Sequence, residues 1–134
     1  VSVGTDFFNE VAKLKVLRTL CRLIATAYHV PTSAIHIHAT SPAWINPAYQ
    51  PHGNLIKSTT ASLSAVLGGC DSLTVESEDE TPTTQRVARN LSLLLREESQ
   101  LARVADPTEG SYYIESLCKE LSEKSWALFL QLLK

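Results

Sequence analysis

His36 and His38 stand two residues apart, and they are the pair in this chain whose type and spacing most directly suggest chemistry. Side chains alternate between the faces of a strand, so both imidazoles would share one face, as the two histidines of an HxH metal pair do. A third ligand would have to come from another strand, and Glu76 and Asp106 are the candidates. The simpler reading, imidazoles hydrogen-bonded within the sheet or at an interface, is adopted, and no metal is assigned. Glu76, Glu78, Asp79 and Glu80 could act as catalytic acids, although such an acidic loop is the usual composition of a solvated turn. Gly110 and Ser111 precede a helical pattern, where backbone N–H groups can hold a phosphate, but a plain N-cap explains the same residues. Cys21, Cys70 and Cys118 are an odd number, widely separated and without CxxC spacing, so they are expected to be buried, reduced thiols of a cytoplasmic protein. No GxGxxG, GxxxxGK[ST] or nucleophile elbow is present, which removes the signals of nucleotide-binding and acyl-transfer enzymes.

These residues must be positioned by alternating helices and strands. Phe7, Val11, Leu14, Cys21 and Ile24 recur at helical spacing and predict a first helix from Thr5 to about His29, closed by Pro31. Ala34 to Ala39, reading AIHIHA, predicts a short strand. The proline-rich SPAWINPAYQPHG predicts an irregular loop. A second helix is expected from about His52 to Leu67, with Leu55, Ile56, Thr59, Leu63, Val66 and Leu67 inward and Gly68-Gly69 as its stop. DSLTV predicts a second strand, Thr81 and Pro82 open a third helix that Val87, Leu91, Leu94, Leu95 and Glu98 mark to about Gln100, and RVAD predicts a third strand. Ser111 caps a fourth helix carrying Ile114, Leu117, Leu121, Leu128 and Leu132.

The order α-βα-βα-βα places strand starts near residues 34, 71 and 104, intervals compatible with parallel βαβ units. The expected fold class is α/β, half of a (β/α)8 TIM barrel with parallel strands, in one domain over residues 1–134, with a small open parallel sheet as the competing architecture. In either case ligands bind beyond the strand C-termini, which here carry His38 to Ser41, Thr74 to Glu80 and Asp106 to Ser111.

The 134 residues, 44% hydrophobic and 19% charged, suffice for a sizeable core and exclude a disordered chain. Twelve Lys and Arg against fourteen Asp and Glu give a net charge of −2, with no basic block to favour nucleic acid or a membrane surface. No apolar run suits a bilayer span, so a soluble, unexported, cytoplasmic protein is expected. Met is absent even at position 1, which suggests a piece of a longer chain.

The run from Arg96 to Leu121, REESQLARVADPTEGSYYIESLCKEL, resembles a stretch near the end of the barrel of adenosylcobalamin-dependent acyl-CoA mutases of the methylmalonyl-CoA mutase family. Glu97-Glu98-Ser99, Val104, Asp106-Pro107, Gly110 to Tyr113 and Glu115 carry the likeness. AVLGGCDSLTV, RVARNLSLLL and DFFNEVAKLKVLR are similar to earlier segments of the same barrel.

The resemblance implies a part in the radical interconversion of succinyl-CoA and methylmalonyl-CoA, with adenosylcobalamin supplying the radical. It also implies departures. The family's His-Cys-Gln-Thr-Ser segment corresponds to Ile37, His38, Ala39, Thr40 and Ser41, and the His of its SLHT segment to Thr74. Asp79 and Glu80 match an acidic pair, Glu80 being the candidate cofactor contact, while Thr40, Ser41 and Thr74 are the candidate substrate contacts. The family's Asp-Pro-Tyr is Gln50-Pro51-His52, with Asn54 retained and Arg replaced by Lys57. Such departures resemble the small, non-catalytic subunit of heterodimeric mutases. The implied role is structural, with no catalytic residue and no cofactor bound by this chain. Its implied partner is a catalytic large subunit or the missing N-terminal half-barrel, or a second copy in a homodimer of half-barrels. The barrel region of an active acyl-CoA mutase is the alternative, followed by an independent metal- or phosphate-binding module.

Overall fold

The computed structural model describes residues 1–41, 53–77 and 79–133, and places four helices around a small parallel sheet. The proline-rich loop, the Gln50 to His52 positions and Glu78 lie outside the described residues.

Helix α1 spans Phe7–Ala27, close to its expected bounds, with Val11, Ala12, Leu14 and Val16 buried. Its C-terminal stop is His29 at φ 56°, an unusual left-handed position for a residue with a side chain, after which Val30 N–H donates to Ala25 O at 2.8 Å. The first strand, β1, is His38–Ser41, shifted toward the C-terminus of the expected AIHIHA, because Thr32–Ala34 closes into a 3-10 turn instead.

Helix α2 spans Gly53–Leu67 and buries a face that hydrophobic periodicity does not predict. Asn54, Ser58, Ala61, Ser62 and Ala65 are buried at helical spacing, whereas Leu55 is exposed and Ile56 is 69% exposed. Small side chains let α2 lie close against α1 and β1, and two large aliphatic residues could not fit there. Gly68 extends this close approach, since a Cβ at that position would lie 2.9 Å from Leu14 Cβ. Gly69, at φ 81°, supplies the left-handed stop that the sequence indicates.

Strand β2, Ser72–Val75, pairs in parallel with β1 in the register His38–Ser72, Ala39–Leu73, Thr40–Thr74 and Ser41–Val75. On the other edge of β1, Ser2 forms an isolated parallel bridge with Thr40, and Val3 N–H donates to Thr40 O at 3.0 Å. The opening residues thus attach to the edge of β1 through one bridge ahead of α1, which the sequence pattern does not reveal.

Helix α3, Pro82–Glu97, begins as expected: Thr81 Oγ1 accepts from Thr84 N–H, and Pro82 occupies the first turn. It buries Ala88, Leu91 and Leu95, leaving Val87 and Leu94 exposed. The expected third strand does not form, because Leu101–Arg103 folds into a 3-10 turn after the left-handed Gln100, and Val104 is exposed.

Helix α4, Tyr112–Leu132, packs along α1, and the first turns of the two helices meet where the Phe8 and Tyr113 rings stack edge to face at 5.2 Å. Ile114 is buried, Leu117 and Leu121 are half-buried, and Leu128 and Leu132 are exposed, so the expected apolar stripe is covered along its first half. The central core joins Val3, Leu14, Ile37, Ala39, Ala61 and Ala65. No described helix is long and apolar enough to cross a membrane.

Candidate functional site: the open face of the sheet

The alternation of β1 divides its side chains into two sets. Ile37, Ala39 and Ser41 are buried, the first two in the core between sheet and helices. His36 and His38 are exposed and Thr40 half-buried on the opposite face. The parallel register sets Ser72 beside His38 and Thr74 beside Thr40, so this face presents imidazoles and hydroxyls.

His36 Nε2 lies 3.0 Å from Ser72 Oγ, and His38 Nδ1 lies 2.7 Å from the same oxygen. His38 Nε2 is 3.2 Å from Thr74 Oγ1. The two histidines share a face, as their spacing predicts, and both are hydrogen-bonded. Neither expected third ligand joins them. Glu76 is exposed beyond β2, and Asp106 lies on the helical side, where Lys15 Nζ donates to its carboxylate at 2.8 and 2.6 Å. Among the described residues, no group of three or more His, Cys, Asp and Glu is placed to hold a metal ion.

The structure brings Thr40 and Thr74 together but separates Ser41 from them. Ser41, also expected among the ligand-facing residues, is fully buried on the helical side, because the pleat turns it away from Thr40. Asp79, in the acidic loop, accepts from Thr81 N–H and Thr84 Oγ1, which hold its carboxyl below the usual carboxylate range, Thr84 contributing most. Its role is to extend the cap of α3. Glu80 is exposed beside it.

Gly110 N–H, considered for phosphate, donates to Glu115 Oε1 at 3.0 Å, and Ser111 makes no side-chain cap. The chain's own carboxylate thus serves the start of α4, in place of the expected serine cap.

Sequence reasoning missed a second polar site. Lys15, Thr19, Asp106, Thr108, Cys118 and Lys119 line a cleft of about 370 Å³ between α1 and α4. Lys15 foremost, aided by the Thr108 hydroxyl and N–H, holds the Asp106 carboxyl below its ordinary range. Arg18 and Ile37 N–H do the same for Asp71, the backbone donor more strongly. No local pattern signals either pair, because each joins residues far apart in the chain.

The sequence model of the family described as methylmalonyl-CoA mutase matches residues 1–133. The chain belongs to the methylmalonyl-CoA mutase family. It is 39% identical over 137 residues to the methylmalonyl-CoA mutase small subunit of Porphyromonas gingivalis, covering 96% of this chain and 22% of that protein. The small subunit of Streptomyces virginiae is 37% identical, covering 95% of this chain and 22% of its own length. Methylmalonyl-CoA mutase of Cereibacter sphaeroides is 38% identical, covering 95% of this chain and 19% of that protein. This mutase-family chain therefore spans about a fifth of the length of the curated relatives it matches.

Proposed function

We propose that this chain is a structural part of a methylmalonyl-CoA mutase barrel of the small-subunit type. Residues 1–3, β1 and β2 would be consecutive staves, and the polar face carrying Thr40 and Thr74 would line the substrate side. One observation carries this reading. Helices cover the face of Ile37 and Ala39, while the His38 face remains open and polar. A barrel segment has that one-sided cover, whereas an open doubly wound sheet has helices on both faces. β2 is paired on one side among the described residues, so its outer edge is available to a large subunit, a preceding half-barrel or a second copy.

In the family reaction adenosylcobalamin supplies the radical. The positions that the resemblance links to this cofactor do not fit it here. Ala39 is buried in the core, so an amide-bearing side chain there would point away from the open face. Thr74 offers a hydroxyl where the family has an imidazole, and Glu80 remains as an exposed carboxylate at the entrance to α3. The chain by itself is expected to bind no corrinoid and turn over no acyl-CoA.

The test mixes the chain with a methylmalonyl-CoA mutase large subunit from the same source and follows co-elution, corrinoid absorbance and conversion of succinyl-CoA. Co-elution, with no turnover by the chain alone, is expected. Turnover or a bound corrinoid spectrum with the isolated chain would overturn the structural role, and failure to co-elute would overturn the partner assignment.

A further inference from the structure

We propose that the C-terminal ends of α1 and α4 form an interface with the same surface of a second copy of this chain. The two helices run side by side in the same direction: Phe8 meets Tyr113 at their starts, and midway Val16 and Thr19 share a cleft with Ile114, Cys118 and Ser122. Along this first part the facing stripes are covered, with Ala12, Val16 and Ile114 buried. Leu23 continues the α1 stripe at helical spacing from Val16 and Thr19, and Leu128 and Leu132 continue the α4 stripe from Leu117 and Leu121. There the cover ends: Leu23, Leu128, Phe129, Leu132 and Leu133 are 36 to 78% exposed. Apolar residues at helical period are the face a helix buries, and among the described residues nothing buries these.

Two properties of the patch select a second copy. The first is charge. Residues 23–35 and 125–133 contain no Asp, Glu, Lys or Arg, so the patch can meet itself across a two-fold axis without opposing like charges, and it offers little to a strongly charged partner. The second is size. A standard interface buries about 800 Å² per partner, about 65% of it apolar in homodimers, so roughly 500 Å² of apolar surface is needed on each side. At roughly 200 Å² per large side chain, the five exposed residues supply roughly 500–600 Å². Trp126 braces Phe129, their ring centroids 5.3 Å apart, which gives the patch a rigid aromatic anchor. The inference needs only α1 and α4, so it stands apart from the barrel assignment and uses a different surface from the β2 edge.

Sedimentation equilibrium of the chain tests it, and a monomer–dimer equilibrium is expected. Leu128→Glu/Leu132→Glu sets like charges across the two-fold axis and should weaken dimerisation by about a hundredfold or more, whereas Leu130→Glu, on the opposite side of α4, should leave it unchanged. Hydrogen exchange of the unsubstituted chain gives a readout that needs no variant: raising the concentration should slow exchange in residues 126–133 and leave Ser72–Val75 unaffected. A chain that stays monomeric, a double variant that dimerises as tightly as the unsubstituted chain, or protection confined to Ser72–Val75 would each overturn the interface. So would protection of 126–133 by a catalytic large subunit when the chain alone remains a monomer, since the patch would then belong to that partner.

Discussion

Lys15 and Asp106, ninety-one residues apart, form a two-pronged contact in which Nζ lies 2.8 Å from Oδ1 and 2.6 Å from Oδ2. It fastens α1 to the turn that launches α4. Lys15→Ala should cost about 0.5–1 kcal/mol at neutral pH, a value kept low because both groups are partly solvated. The folded-state pKa of Asp106 is lowered, so its stabilisation is fully present above the unfolded value of about 3.9 and is lost as pH falls through the folded one. Urea unfolding of a Lys15→Ala/Asp106→Asn cycle checks this: the coupling should shrink progressively below about pH 4. A coupling that is flat with pH would contradict the assignment.

Gly68 and Gly69 should respond to alanine for different reasons. At Gly68 the new Cβ would meet Leu14 Cβ at 2.9 Å and Ser64 O at 3.0 Å, so overpacking by about 1–3 kcal/mol is expected. Gly69 has open space around it but a φ of 81°, so the cost is conformational, about 1–2 kcal/mol. In a thermal-melt comparison Gly69→Asn should cost less than Gly69→Ala, because Asn tolerates left-handed backbone, whereas Gly68→Asn should be no milder than Gly68→Ala.

The buried face of α2 makes a third prediction. Ile56→Ala should alter stability by no more than about 0.5 kcal/mol, whereas Ala61→Leu should destabilise by about 1–3 kcal/mol. Denaturant midpoints measured at constant slope would reverse in order if the large aliphatic residues formed the inner face.

Cys70 and Cys118 thiols are raised above their ordinary range, chiefly by burial, with nearby acids adding to the effect. Both should alkylate with iodoacetamide at pH 8 several-fold more slowly than a free peptide thiol. Mass-spectrometric time courses that show either one reacting at the peptide rate would contradict this.

The four helices, the parallel order of β1 and β2, the Thr81-Pro82 start of α3 and the shared face of His36 and His38 were all legible in the sequence, because each follows from local spacing, capping or strand alternation. Family membership was legible for a different reason: it rests on an ordered series of residues along nearly the whole chain. Tertiary structure decided the rest. It chose the small-residue face of α2, since close packing against Leu14 and the sheet is a property of the neighbouring surface and not of the helix. It denied RVAD a strand and joined Ser2 to the edge of β1 by an isolated bridge, because pairing depends on which edge lies within hydrogen-bond reach. It also turned Ser41 inward and drew Lys15 to Asp106, since long-range contacts are set by how the elements pack and leave no period in the chain that forms them.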